Sequence, residues 1–429
     1  MHNLKYSENL IINLIIVSII PFLILGPFFP DLIVSFSSLF FLYHILKNKN
    51  FFYIFNKPIL IFLIFCIYCI LNSIFIANNT LLSLESSLFY FRIGIFSCFV
   101  WYLIDNDKNI LTYFYYAIVI CFIALVIDGY FQHFTGKNLL GYKMSGVRVS
   151  SFFRDELIMG SYLSRLFPLL FALFIVKQKF KFEVYFLGVL FVLIDVLIFI
   201  SGERTAFFFL NLSTIFIIIC IKKYKRLGLI TFFVAFICIF ILSINNLDLK
   251  KRMLVVPVKN IGLSTSEVSD KNMGLNRSSR EKIIFTAMHD SHYRTAYAMF
   301  KEQPLFGHGP KMFRVLCKEE KYAIGILPCS THPHNFYIQL LAETGIIGFL
   351  FLFSFFCYFV FISIRQFIFI VLKKKNILSD YQICLLAGIL ITVWPLSPNG
   401  NFFNNWLMIT YSLPIGFYLQ SIYSKKNSN

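Results

Sequence analysis

The sequence predicts an all-α polytopic membrane protein of about twelve transmembrane helices with one large external loop module. Three observations carry that reading. Hydrophobic residues fill 58% of 429 positions, 55 of them Phe, and the mean hydropathy is +0.74, whereas a soluble domain is about 45–50% apolar. Apolar runs near the roughly 20 residues that cross a bilayer as a helix recur along the whole chain. One long polar stretch, 247–335, interrupts them.

The expected spans are 9–26, 29–46, 58–77, 85–104, 110–128, 156–176, 184–201, 204–221, 228–246, 336–364, 380–395 and 402–422. The first lacks a small-residue cleavage site and is expected to be retained. The net charge of +18 is scattered between apolar runs. It forms no single basic domain with interleaved aromatics, which argues against nucleic acid and toward anionic lipid or a lipid-linked phosphate. With Lys5 cytoplasmic, one side gathers Lys47, Lys49, Lys57, Lys108, Lys177, Lys179, Lys181, Lys222, Lys223, Lys225, Arg226, Arg365, Lys373 to Lys375, Lys425 and Lys426. The short opposite loops are nearly bare, so both termini are expected in the cytoplasm. Eight cysteines (66, 69, 98, 121, 220, 238, 357, 384) fall inside apolar runs and read as packing residues.

Long loops are exempt from the charge rule, and two external ones carry charge. One is 129–155; the other, 247–335, holds 14 Lys and Arg against 8 Asp and Glu. The chain therefore divides into an N-terminal bundle (1–246), a loop module (247–335) and a C-terminal bundle (336–429). Within the loop a helix is expected from about Ser279 to Gln303, with Ser278 or Ser279 as N-cap, Glu281 in the first turn and Pro304 as its stop. Its apolar side reads Phe285, Met288, Tyr293, Ala296, Tyr297 and Phe300. The PLFGHGPKMF that follows is a Gly/Pro-punctuated turn.

Arg92, Arg165 and Arg204 stand toward the external ends of their spans, and Arg148 lies in the first external loop. A charge in a membrane helix costs about 2.5–3.5 kcal/mol at mid-depth, so it points to function by default. Guanidinium grips phosphate oxygens bidentately and keeps its charge when partly dehydrated. The bland alternative is pairing with Glu85, Asp128, Asp155, Glu156, Asp195 or Glu203, and for Arg294 with Asp290, one helical turn away.

At the end of the loop stands THPHNFYIQLLAETGIIG, 331–348. A neutral imidazole there can take a proton from a hydroxyl. Ala342, Gly345 and Gly348 give the following helix a small-residue face on which another span can pack, with His334 emerging at its start. Asn335 either orients a hydroxyl or caps the helix.

His334-Asn335, nine residues and then Gly345-x-x-Gly348 resembles the H[NSQ]-x9-GxxG pattern of the O-antigen ligase family. RTAYAMFKEQPLFGHGPKMF (294–313) and SGERTAF (201–207) look like that family's pre-histidine helix and turn and its arginine hairpin. The resemblance implies a GT-C-like glycosyltransferase of the bacterial inner membrane with its active site on the periplasmic face. There a glycan on an undecaprenyl diphosphate carrier would pass to a sugar hydroxyl of lipid A–core by an inverting displacement. No cofactor is expected, and with no carboxylate cluster in the chain that would demand Mg²⁺ the reaction is expected to be independent of metal. By carry-over, His334 activates the acceptor and Arg204 and Arg294 hold the diphosphate, with Arg92, Arg148 and Arg165 as further candidates. The spacing selects His334 over His332, which takes a supporting role with His308 behind it; His289 and His292 read as surface residues. Cys317 and Cys329, the two cysteines outside the spans, would close a disulfide in an oxidising periplasm. A polymerase or a protein O-oligosaccharyltransferase would use the same chemistry on another acceptor. A transporter would want polar residues spread through the membrane and often a repeat, and neither is visible.

Overall fold

The structure is a computed structural model, described over residues 6–178, 180–256, 258, 286–374 and 376–423. Among these residues it is helical, with no β-strand beyond isolated bridges in the 137–148 loop. Helices run α1 Tyr6–Val17, α2 Ile19–Leu25, α3 Phe28–Asn48, α4 Lys57–Phe75, α5 Thr80–Ser87, α6 Phe91–Asn106, α7 Asn109–Thr135, α8 Met159–Lys177, α9 Lys181–Ser201, α10 Arg204–Cys220, α11 Lys225–Asn245 and α12 Leu247–Lys250. After the loop come α13 Ala287–Glu302, α14 Phe313–Leu316, α15 Phe336–Val371, α16 Asp380–Thr392 and α17 Asn405–Tyr423.

Among the described residues eight helices are long and apolar enough to cross a membrane. Asn9–Leu25, Arg204–Cys220 and Asp380–Thr392 are shorter apolar helices, and α17 adds nineteen residues. Every expected span is helical, while the length and apolarity of a crossing hold for eight of the twelve. Helix α17 lies along α6 and α16 along α8, building a core around Trp101, Phe99, Phe114 and Phe174. Helix α11 leaves Phe233, Phe236, Ile237 and Phe240 outward, as a lipid-facing helix does: hydrocarbon does not penalise apolar side chains, and the backbone groups are bonded within the helix.

The expected helix start at Ser278, Ser279 and Glu281, and Phe285, lie outside the described residues. The described helix α13 opens at Ala287, capped by Thr286, whose Oγ1 accepts from His289 N–H. Its apolar side departs from expectation. Ala296 and Met299 are buried against Met312, Phe313 and Leu316 and Tyr293 is buried beside His289, but Met288 and Tyr297 point outward. In their place the buried face carries Asp290, Ser291, His292 and Thr295, because it faces polar groups and not a lipid-like core.

The small-residue face of α15 is also corrected. The helix breaks at Gly345, with φ +65° and ψ −164°, a region open essentially to glycine alone. The broken turn is rejoined by the PLFGHG segment. His308 N–H donates to Ala342 O (3.1 Å), Gly309 N–H to Glu343 O (2.7 Å) and Ile346 N–H to Pro304 O (2.8 Å). Asn72 Nδ2 donates to Phe306 O (2.6 Å) and Tyr68 Oη to Thr344 O (2.6 Å), so α4 ties down the same joint. Gly345 thus admits a loop backbone, not a neighbouring span.

Candidate active site

Asn335 is the N-cap of α15: its Oδ1 accepts from Tyr337 N–H (2.9 Å) and Ile338 N–H (3.2 Å). Its Nδ2 donates to the Pro395 and Ser397 carbonyls. With both ends of the amide occupied, Asn335 positions the histidine segment and does not reach a substrate. The residue before it, His334, sits at φ +60°, a left-handed conformation that costs a non-glycine residue of order 1–3 kcal/mol and persists only where its surroundings enforce it. Asn399 N–H enforces it by donating to His334 O (2.8 Å).

Four imidazoles gather on that spot. His334 lies 4.1 Å, ring centre to ring centre, from His332, 5.3 Å from His292 and 5.4 Å from His289. This corrects the reading of His289 and His292 as surface residues: they stand three apart on one face of α13, and His292 is 1% exposed. It also corrects His308, which turns away to bond Met299 O and pack on Tyr322, holding the PLFGHG turn. Ser330 Oγ contacts His334 Nε2 at 3.3 Å, and Thr331 Oγ1 contacts His332 Nδ1 at 3.0 Å. Among the described residues no three His, Cys, Asp or Glu side chains are arranged to hold a metal ion.

Burial first, and then repulsion from His289 and His292, push the His334 pKa down to about 4. Burial, His292 and Arg204 do the same for His289, to about 4. Burial, His334, Arg314 and His292 lower His332 to about 3, against a bond with Asn399 that raises it. All three are therefore neutral at pH 7. Because these folded values lie below the unfolded 6.5, their contribution to stability is complete above pH 6.5 and is lost as pH falls toward 4. Thermal unfolding of the detergent-solubilised protein should drop progressively between pH 6.5 and 4.5, and less in His332→Gln. Equal melting temperatures at pH 7 and 4.5 would contradict a buried, neutral quartet.

Beside the quartet lies the turn Ser201–Arg204 with three arginines. Arg148 Nε donates to Ser201 O (3.1 Å), Arg252 Nε to Gly202 O (3.2 Å) and Arg204 Nε to Arg252 O (2.8 Å). Gly202 is needed for their approach, since a Cβ there would meet Arg252 Nε at 2.5 Å. Glu203 turns inward, accepting from Gly160 N–H (2.6 Å) and Ser161 N–H (3.0 Å), and burial lifts its pKa to about 7 against those bonds and Arg148. Among the described residues the terminal nitrogens of Arg148, Arg204 and Arg252 make no bond. Each side chain is thus anchored at Nε and leaves its terminal nitrogens for other acceptors, a donor set whose chemistry suits anionic oxygens.

Two expected diphosphate ligands are reassigned because their forks are occupied. Arg92 donates Nη2 to Asp31 and Nη1 to Ser35 Oγ. Arg165 is 3% exposed and sandwiched between Tyr411 (3.8 Å) and Phe209 (4.7 Å). It donates to Thr392 Oγ1, Ile391 O and Asn399 Oδ1, so through Asn399 it steadies the His334 backbone. Arg294 pairs with Asp290 at 2.9 Å. Cys317 and Cys329 are joined as a disulfide, Cα atoms 5.1 Å apart, which staples α14 to the histidine segment.

Sequence reasoning missed Arg252 and the inward faces of His289 and His292. The i, i+3 spacing of the two histidines was the available signal; Arg252 in a run of charged residues offered none.

Fold and site together define a polytopic helical membrane protein with neutral histidines beside an arginine receptor. Residues 187–353, less than half of the chain, match the family model described as O-antigen ligase, which supports assignment to the O-antigen ligase family. Its members are glycosyltransferase-like enzymes, ligases and polymerases. The matched segment holds the arginine turn, α13, the PLFGHG turn, His334 and the Gly345 break. No curated protein matches the chain.

Proposed function

We propose that this protein transfers a glycan from undecaprenyl diphosphate to a hydroxyl of lipid A–core at the periplasmic face of the inner membrane. The observation that carries the reading is a neutral His334 among partly buried histidines, with Arg204 of three Nε-anchored arginines acting on the neighbouring His289. His334 takes the acceptor hydroxyl's proton as its oxygen attacks the anomeric carbon. The carbon–oxygen bond to the diphosphate breaks on the opposite face, the leaving oxygen keeps the electron pair, and one displacement inverts the centre. Arg204, Arg148 and Arg252 receive that charge, with Arg294 fixed by Asp290 in the same set. The incoming diphosphate brings negative charge toward the quartet, and that charge raises the depressed histidine pKa. The base therefore gains proton affinity once the donor is bound.

The reading places twelve crossings, both termini in the cytoplasm and the 247–335 module in the periplasm. Lipopolysaccharide from a deletion strain tests the acceptor. Uncapped core with polymer retained on the carrier, restored by the gene, supports a ligase; core capped by single repeats marks a polymerase instead. Arg204→Lys keeps the charge and loses the planar fork, so transfer should fall about a hundredfold. Wild-type turnover in that variant would reduce Arg204 to a helix anchor.

A further inference from the structure

Arg204 of the arginine turn acts on His289. A different ring, His332, is acted on by a guanidinium that neither the motif nor the family match assigns. Arg314 is on α14, half-buried, and its Nε is buried with no hydrogen-bond partner among the described residues. Three contacts fix α14 against the site. Phe313 N–H donates to Glu343 Oε1 (3.2 Å). The Phe313 ring lies 6.4 Å from His292, which stacks on His334. The Cys317–Cys329 disulfide binds the end of α14 to the strand of chain that leads into Ser330 and His334.

The Glu343 carboxylate, on which Arg314 acts, does not pair with it. Glu343 accepts from Phe313 N–H and from Gln339 Nε2 (2.9 Å), and among the described residues it forms no ion pair with Arg314. A buried donor without an acceptor is costly, and in a native structure such a group calls for a ligand or ion. Its position says which ligand. In a single displacement the leaving group and the attacking hydroxyl lie on opposite sides of the reacting carbon, so a cation that acts on His332, and not on the ring Arg204 acts on, is left for the acceptor.

We infer that Arg314 is an acceptor-side anion site that binds a phosphate or carboxylate oxygen of an acidic acceptor glycan while His334 takes its proton. The inference rests on the transferase reading for its acceptor, but its first test does not need turnover. Full-length protein in nanodiscs is titrated with core oligosaccharide in native, phosphatase-treated and carboxyl-reduced forms. Wild type should bind the native form about tenfold or more tightly than one of the two treated forms, which names the anion. Arg314→Gln should lose that preference, and Arg204→Gln should keep it. Arg314→Lys, which keeps the charge and so protects against a mere folding failure, should retain part of it. Equal binding of all three forms by wild type, or an unchanged preference in Arg314→Gln, overturns the site.

In the transfer assay Arg314→Gln should raise KM for the native acceptor about tenfold with kcat and donor KM little changed. A rise in donor KM instead would move Arg314 to the diphosphate. If wild type binds the acidic glycan through Arg314 yet transfers nothing to it, the anion site stands and the ligase reading falls.

Discussion

His334→Ala should abolish glycan transfer, by about 10²–10⁴-fold, while the protein accumulates in the membrane at the wild-type level. The ring packs against three other imidazoles, but the course of the segment does not depend on it. The segment is held by its backbone, through Asn399 N–H on His334 O and the Asn335 cap, and the ring's polar contact among the described residues is Ser330 Oγ at 3.3 Å. Removing it leaves the arginine receptor and the other three imidazoles in place. On the lipopolysaccharide gel the deletion strain carrying this variant should look like the deletion alone. His332→Ala should retain most of the activity, because His332 bonds Thr331 and supports the neighbouring ring without being selected by the motif. An unchanged ladder in a well-expressed His334→Ala strain removes the residue from the mechanism, and equal loss in both variants makes the pair, not His334, the unit of action.

The helical segments were legible because bilayer length writes itself as runs of apolar residues. Asn335 was legible as a cap because Asx before an apolar run is a local signal. What was not legible depends on distant partners. Arg92 and Arg165 look alike along the chain, as charges near the external ends of apolar runs. Only folding shows that Asp31, 61 residues away, and Asn399, 234 residues away, occupy their forks. The apolar side of α13 was misread for a related reason. Periodicity assigns apolar residues to the buried face, yet this helix buries His292, Asp290 and Thr295 and exposes Met288 and Tyr297, since its inner face is the wall of a polar site. Gly345 shows the third kind of failure. A small residue every third position reads as a helix-packing face, and the same glycine can equally be the one residue able to leave the helix.

That last distinction separates two outcomes for Gly345→Ala. On a packing face, alanine would be a small and tolerable addition. At φ +65° and ψ −164° an L-residue is strained before any contact is counted, and an added Cβ would press on the Leu305 carbonyl and lie 2.6 Å from Phe306 N. Backbone atoms of the PLFGHG turn have no rotamer by which to retreat. Gly307 meets the same joint from the other side, its own Cβ position 2.6 Å from Thr344 N and Gly345 N, so neither strand can move without the other. Relief therefore requires the joint to open, breaking the bonds from His308, Gly309 and Ile346 and freeing α13 and α14 from α15. The expected cost is about 3 kcal/mol or more, seen as a large fall in melting temperature and in membrane level, with loss of the polymer ladder. Gly136→Ala is the matched control: φ is +81° but nothing lies within 4 Å of the added carbon, so only the conformational term of about 1 kcal/mol should appear. Should Gly345→Ala melt with wild type and restore the ladder, the break in α15 would not be the hinge on which the loop module is hung, and the nine-residue spacing from Asn335 to Gly345 would need another physical reason.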